Sequence, residues 1–347
     1  MRILITGNLG YIGPVVVRHL RKVWPAAELI GFDTGYFAHS LTGASFLPEC
    51  RLDRQIFGDL RTFPAEILEG VQAVVNLAAI SNDPMGNQFG AVTEHINHLA
   101  GIRLAKAAKA AGVESFVFAS SCSVYGFAAD GARTESSPLD PLTAYARSKV
   151  STECDLIPLA DSTFNVSCLR FATACGWSDR LRLDLVLNDF VASAIATKKI
   201  NILSDGTPWR PLIHVEDMAR AIEWAVNRKS DNGGPAVVVN VGSDEWNYQV
   251  KDLADAVAGA FSDVAVLVNA TAVPDRRSYR VAFAKFRSLA PAHQPKFTLA
   301  SAVVGLKIGL EAMGFSDSDF RQSSLIRLHT LRAHVAASRL NEELKWI

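Results

Sequence analysis

Residues 6–14 read TGNLGYIGP and follow directly on MRILI, so a short apolar run empties into three glycines spaced three apart, Gly7, Gly10 and Gly13. A strand ending in such a loop, followed by an amphipathic stretch over about residues 12–23, commits the chain to a strand–turn–helix unit. Gly7 permits the tight turn, Gly10 lets the backbone approach a bound phosphate, and Gly13 lets the helix pack close to the sheet. The free N–H groups of the first helical turn give that end the partial positive charge a pyrophosphate needs. Pro14 fits only if a helix begins there, because a first-turn residue has no intrahelical partner for its N–H. Asp33 lies twenty positions beyond Gly13, at the end of ELIGFD. There it can accept hydrogen bonds from adenosine ribose hydroxyls and would repel a 2′-phosphate, which points to NAD over NADP. A bare glycine turn explains the loop alone, but not the strand, helix and carboxylate around it.

The rest of the first half repeats the same alternation. RILIT, ELIGFD, VQAVVNLAA, SFVFASS and NVSCLRFA are continuous apolar runs, separated by helical patterns that include about residues 93–111 and 143–159. Strands of this kind are covered on both faces, so the expected fold class is α/β, a Rossmann-type doubly wound parallel sheet. The style changes after Arg170, returns over residues 211–242 with VEDMARAIEWAV and AVVVNVGS, and changes again from Asp244. The expected organisation is an NAD-binding Rossmann domain over 1–170 and 211–242. A smaller, discontinuous C-terminal α/β substrate domain is expected over 171–210 and 243–347.

Composition narrows the partners. Apolar residues make up 49% and charged residues 20%, with 35 basic against 35 acidic side chains and no basic run. A globular protein is expected, with neither nucleic acid nor a membrane as partner. MRILITG reads as a strand and not as a signal peptide. The five cysteines form no C-x-x-C pair and read as small buried residues in a reducing compartment, so a cytoplasmic location is expected. His95 and His98 lack a third nearby ligand; no metal is expected, and a helix surface is the simpler reading.

TAYARSK places Tyr145 and Lys149 four apart on one helix face. A phenol titrates near ~10, and a neighbouring ammonium, or a positive nicotinamide ring, favours its ionised form. FASSCSVYG, residues 118–126, leaves a strand end with hydroxyls available. Of these, Ser121 is the candidate for holding a substrate alcohol against the phenol oxygen.

Thr6–Gly13, Asp59 in GDLR, Asn76 in NLAA, SSCSVYG and YARSK together resemble the extended short-chain dehydrogenase/reductase family, and within it the NAD-dependent epimerase/dehydratase branch acting on nucleotide sugars. The resemblance implies roles residue by residue. Tyr145 is the general base or acid, Lys149 lowers its pKa and holds the nicotinamide ribose, and Ser121 orients the substrate. The loop residues Gly7, Asn8, Leu9, Gly10, Tyr11, Ile12 and Gly13 hold the cofactor with Asp33. Asp59 and Leu60 border its adenine, Leu77, Ala78 and Ala79 follow along it, and Asn97 organises the active-site helix. Ser81, Ser123, Asn188, Arg210 and Arg277 fall on the side of the nucleoside-diphosphate sugar, the last three towards its diphosphate. The family pairs the 93–111 and 143–159 helices between subunits, so a homodimer is expected, with Ala105, Ala108, Val150 and Leu156 as apolar residues available for it.

Departures from the family pattern narrow the chemistry. Members that eliminate water across carbons 5 and 6 carry an acidic pair where this chain has Cys122 and Ser123. A 4,6-dehydratase is therefore the weaker alternative, and hydride transfer at carbon 4, by a 4-epimerase or a 4-dehydrogenase/4-keto reductase, the expectation. RLRLDLVLNDF with PDRRSYRV is similar to a subgroup that includes carbon-4 dehydrogenases of GDP-heptose. A non-catalytic dinucleotide sensor is the rival from another class; the presence of both Tyr145 and Lys149 speaks against it.

Overall fold

Apolar runs without polar alternation have to be covered on both sides, and that requirement builds the centre of the molecule. The computed structural model describes residues 1–269 and 277–347. Seven parallel strands form its main sheet: β1 (Arg2–Thr6), β2 (Glu28–Asp33), β3 (Arg54–Phe57), β4 (Ala73–Asn76), β5 (Ser115–Ser121), β6 (Asn165–Phe171) and β7 (Ala236–Val241). Their order is β7-β6-β5-β4-β1-β2-β3. Ile5 sits between Gly31 and Val75, Val75 faces Val117, and Val117 faces Ser167. The chain runs outward from β1 to β3 and then crosses back to β4, so the strand order reverses between β1 and β4. A doubly wound sheet opens its ligand crevice at that point, above the carboxyl ends of the strands.

Helices cover both faces. The main ones are α1 (Gly13–Val23), α2 (Gly101–Ala110), α3 (Ala144–Leu156), α4 (Val186–Thr197), α5 (Val215–Asn227), α6 (Val250–Ala258), α7 (Leu299–Ala312) and α8 (Arg327–Ala336). Pro14 lies in the first turn of α1, as its missing N–H requires, and Val15, Val16 and Leu20 of that helix are buried. α1 packs beside α5, the helix that the chain returns after its excursion, and β7 returns with it to the sheet edge.

The helix expected over 93–111 forms, but its first seven residues, Glu94–Ala100, wind as a wider π-helix. On that segment Asn97 accepts from Ile80 N at 2.8 Å and donates to Ile80 O at 3.0 Å, so its amide holds the loop after β4. Wider turns of this kind are frequent at functional sites. His98, on the same segment, lies between Glu94 and Asp155. Ala105, Ala108 and Leu156 are fully buried within the subunit and only Val150 is partly exposed, so the first three are corrected from interface candidates to core residues.

The remaining strands form small sheets beside the crevice. Thr173–Cys175, Trp209–His214 and Asn247–Gln249 make one of three strands; Lys199–Ile202 pairs with Ala265–Val268, and Phe127–Arg133 with Ser278–Val281. Residues 274–276 of the PDRRSYRV segment lie outside the described residues. The C-terminal segment turns back to the cofactor end of the main sheet. Leu331, Leu340 and Leu344 are buried against Tyr36, Ile80, Met85 and Ile96.

Candidate active site

The crevice is a cavity of about 810 Å³ that runs from the glycine loop, past the ends of β2, β4 and β5, to Arg210 and Arg277. Gly7 has φ +74°, and a Cβ there would lie 2.5 Å from Ala78 N. A Cβ on Gly13 would lie 2.1 Å from Asn8 O, so the close approach of α1 to the loop needs glycine. Gly10 differs: an added Cβ would meet only Gly7 O, at 3.2 Å, and otherwise fill open cavity. That open face beside a helix N-terminus is a cradle for a phosphate, and the residues present fit a dinucleotide.

Asp33 closes the other side of the loop. Its two carboxylate oxygens accept from Leu9 N at 3.0 Å and Gly35 N at 2.7 Å. Burial raises its pKa while these two N–H bonds lower it. Asp33 faces the cavity, with spare lone pairs on both oxygens.

Ser121 ends β5, and Tyr145 and Lys149 lie on α3, whose first turn is capped by Thr143 Oγ1 accepting from Ala146 N at 3.1 Å. This cap fixes the turn that carries Tyr145. The Ser121 hydroxyl accepts from Ser123 N at 3.1 Å and lines the same cavity as the Tyr145 phenol. Lys149 Nζ donates to Ala119 O at 2.7 Å and stands 5.5 Å from the centre of the Tyr145 ring. Burial pushes the phenol up to about 12; the nearby Ser121 hydroxyl lowers it and the Asp83 charge raises it. Burial also pulls Lys149 down to about 7. Burial by itself favours the neutral phenol; the expected ionisation counts on Lys149 and the positive nicotinamide ring together.

Of the residues singled out in the sequence, Gly7, Gly10, Tyr11, Ile12, Asp33, Asp59, Leu60, Leu77, Ala78, Ala79, Ser81, Ser121, Ser123, Tyr145, Lys149, Arg210 and Arg277 line the cavity. Five do not. Asn188 is fully buried; its amide accepts from Gly176 N and donates to Tyr11 Oη and Arg182 O, so its expected diphosphate contact is corrected to a brace under the site. Asn8 turns away from the cavity and donates to Gln55 Oε1 at 2.6 Å, in space that Gly31 leaves free. Leu9 serves through its backbone N–H on Asp33, Gly13 through packing, and Asn97 through the β4 loop and Ser148. Arg277 faces the cavity at its edge while donating to Asp83 at 2.9 Å.

Other residues face the cavity without having been singled out. Arg182 forks onto Asp184 and donates to Ser81 Oγ at 2.9 Å, and Asp83 accepts from Thr143 Oγ1 at 2.7 Å. Arg327 comes from the start of α8. Arg182 and Asp184 stand in RLRLDLVLNDF, where an alternation of charge and leucine was the available signal; Arg327 has no local motif. Cys122 points its thiol at Arg170 O and burial raises its pKa, so the strand end offers no acid at that position. Among the described residues no group of three or more histidine, cysteine or carboxylate side chains could hold a metal, and no helix is long and apolar enough to cross a membrane.

Comparison with known proteins gives a consistent set. The model of the NAD dependent epimerase/dehydratase family matches residues 3–242. The chain is 30% identical over 258 residues to an uncharacterized UDP-glucose epimerase, YtcB, of Bacillus subtilis (strain 168), covering 71% of this chain and 78% of that protein. It is 29% identical over 248 residues to a dTDP-glucose 4,6-dehydratase of Streptomyces griseus, covering 69% and 73%. Among solved structures, MoeE5 in complex with UDP-glucose and NAD superposes with a TM-score of 0.76 at 26% identity, covering 90% of this chain and 99% of that one.

Proposed function

The chain belongs to the NAD dependent epimerase/dehydratase family, and from that membership we propose that it transfers hydride at carbon 4 of a nucleoside-diphosphate sugar. It is an enzyme, and its cofactor is NAD. The observation that carries the reading is one cavity holding three things together: the Gly10 cradle with Asp33, Tyr145 with Ser121, and Lys149 on Ala119 O.

Asp33 holds the adenosine ribose hydroxyls, and the N–H groups that open α1 hold the phosphates. Bound NAD supplies the acceptor and donor of the hydride, together with the positive charge of its ring. Ser121 Oγ holds the carbon-4 hydroxyl of the sugar, and Tyr145 Oη takes that hydroxyl's proton and later returns it. Lys149 Nζ, fixed by Ala119 O, fixes the ring's surroundings and hydrogen-bonds the nicotinamide ribose. With NAD bound, the cavity would fix both hydrogen-accepting groups at one carbon, and such positioning lowers the barrier. Arg210 and Arg277, at the far end of the cavity, take the sugar nucleotide's diphosphate. We assign the seven-stranded sheet with its flanking helices to the cofactor, and the small sheets with α4, α6 and α7 to the nucleotide sugar.

The position that carries an acid pair in 4,6-dehydratases holds Cys122 and Ser123, with the Cys122 thiol turned into the core. This favours epimerisation or net oxidation or reduction over elimination of water. The test is Tyr145→Phe, assayed against UDP-, GDP-, CDP- and dTDP-sugars for isomer or 4-keto product. Loss of a positioned acid–base group is expected to cost about 10²–10⁴ in turnover with NAD binding retained. Wild-type turnover in that variant would overturn the mechanism.

A further inference from the structure

Arg327 is among the largest fully buried side chains of the protein, 1% exposed, and it lines the cofactor cavity. Its Nη2 donates to Arg180 O at 2.8 Å, and its guanidinium carbon stands 4.7 Å from the centre of the Phe37 ring. Among the described residues its Nε and Nη1 have no hydrogen-bond partner. Three N–H groups of a buried cation are therefore left over, a costly arrangement unless something anionic meets them.

The neighbouring arginines make the contrast plain. Arg180 is matched by Glu49 at 2.5 Å, Arg182 by Asp184 at 2.8 Å, and Arg61 by Asp59 at 2.6 Å. Each of those pairs is locally neutral. Arg327 has no carboxylate of its own; Arg180 and Arg182 disfavour its charge, and Asp184, already forked onto Arg182, is the carboxylate that favours it. Burial draws the pKa of Arg327 down to about 9. The site carries one positive charge without a matching anion.

Position identifies which anion. Phe37, under the guanidinium, follows Asp33 by four residues. Tyr11, which directly follows Gly10, lines the same cavity. Arg327 thus opens onto the cavity shared by the carboxylate that takes the adenosine ribose and the turn that takes phosphate, packed on the segment that follows that carboxylate. The part of a dinucleotide joining those two places is its pyrophosphate. We propose that Arg327 is a cofactor-binding residue whose Nε and Nη1 complete the cradle for the NAD pyrophosphate, facing the glycine loop from the C-terminal segment. The inference rests on the cofactor assignment and is independent of the carbon-4 chemistry. An arginine fork matches a diphosphate's oxygens in geometry as well as charge.

The experiment measures equilibrium binding of NAD, ADP-ribose, adenosine and UDP-glucose to the full chain, stripped of nucleotide, as wild type, Arg327→Met and Arg327→Lys. The expected result for Arg327→Met is a loss of about 10- to 100-fold for NAD and ADP-ribose, the range of a charge-assisted hydrogen bond to a buried partner, with adenosine unchanged. Arg327→Lys recovers part of the loss and keeps the wild-type fall of affinity with salt. Unchanged NAD and ADP-ribose affinity in Arg327→Met overturns the proposal. So does a loss confined to UDP-glucose, which would place the sugar nucleotide's diphosphate there instead. If Arg327→Met does not fold, the wild type and Arg327→Lys are compared by the rise in thermal midpoint with inorganic pyrophosphate. A smaller rise in the lysine variant supports the site, and no rise in either overturns it. Absence of NAD binding to the wild type would instead overturn the cofactor assignment itself.

Discussion

Lys149 meets two opposing demands. Its ammonium is wanted beside the Tyr145 ring, yet its surroundings bury it and draw its pKa to about 7. In an unfolded chain a lysine titrates near about 10.4. Between these values the unfolded state binds a proton that the folded state does not, so this residue makes stability rise with pH from about 7 towards 10. Lys149→Met removes that contribution. The difference in urea midpoint, wild type minus variant, is expected to climb over this window in nucleotide-free protein; a difference constant with pH would contradict the buried ammonium. Acidification below neutrality charges Lys149 in both states, and the difference then levels off.

At the scale of elements, α3 is tied to the sheet by a buried ion pair. Glu153, one turn beyond Lys149, meets Arg170 of β6 at 2.7 Å with both side chains nearly inaccessible, and Ser120 of β5 donates to the same carboxylate. Arg170 also donates to Tyr125 Oη, which donates to Asn240 on β7. Three strands and α3 are thus held in register from below the cavity. Arg170→Met strands the Glu153 charge and is expected to cost about 3–5 kcal/mol in urea unfolding, whereas the double variant Glu153→Gln, Arg170→Met recovers most of it. Comparable losses in the single and double variants would mean that packing, and not charge, is what Arg170 contributes.

Elements were also what the sequence displayed best. Strands buried on both faces, such as RILIT and NVSCLRF, leave unbroken apolar runs, and α1 announces itself through Pro14. The cavity-facing glycines, Asp33 and Tyr145 sit where local pattern placed them. Asn188 did not, because its amide satisfies Gly176, Tyr11 and Arg182, partners brought together from separate stretches of chain. The same holds for Arg327, whose meaning depends on Phe37 and Arg180, 290 and 147 residues away (327 − 37 and 327 − 180). No periodicity or spacing within one segment encodes such a meeting. The depressed Lys149 is likewise a property of burial, absent from the spelling of TAYARSK.

At the scale of the whole molecule, two features bear on assembly and on the hold over the cofactor. Leu99 on the 94–110 helical segment and Ile157, just past the 144–156 helix, are exposed, although Ala105, Ala108 and Leu156 are internal. We propose a homodimer through Leu99 and Ile157. Static light scattering is expected to give twice the chain mass of 37.5 kDa, and Leu99→Lys to return the monomer; a monomeric wild type would end the idea. The second feature is the C-terminal segment. Tyr36 Oη donates to Leu344 O, Trp346 Nε1 donates to Thr34 O at 2.6 Å, and Arg61 Nη1 donates to Glu343 O at 2.6 Å. Leu340 and Leu344 are buried, each worth about 2 kcal/mol as an upper figure for the area they remove from water. Truncation after Arg339 is expected to lower the thermal midpoint and to speed NAD release at least tenfold in a trapping experiment; unchanged release would show that the segment serves folding alone.

If the segment holding Leu344 and Trp346 slows NAD release, as the truncation tests, each catalytic round would run fastest when the carrier ends it in the form in which it began. A reaction that hands the borrowed hydrogen back to the same sugar meets that condition without any second substrate.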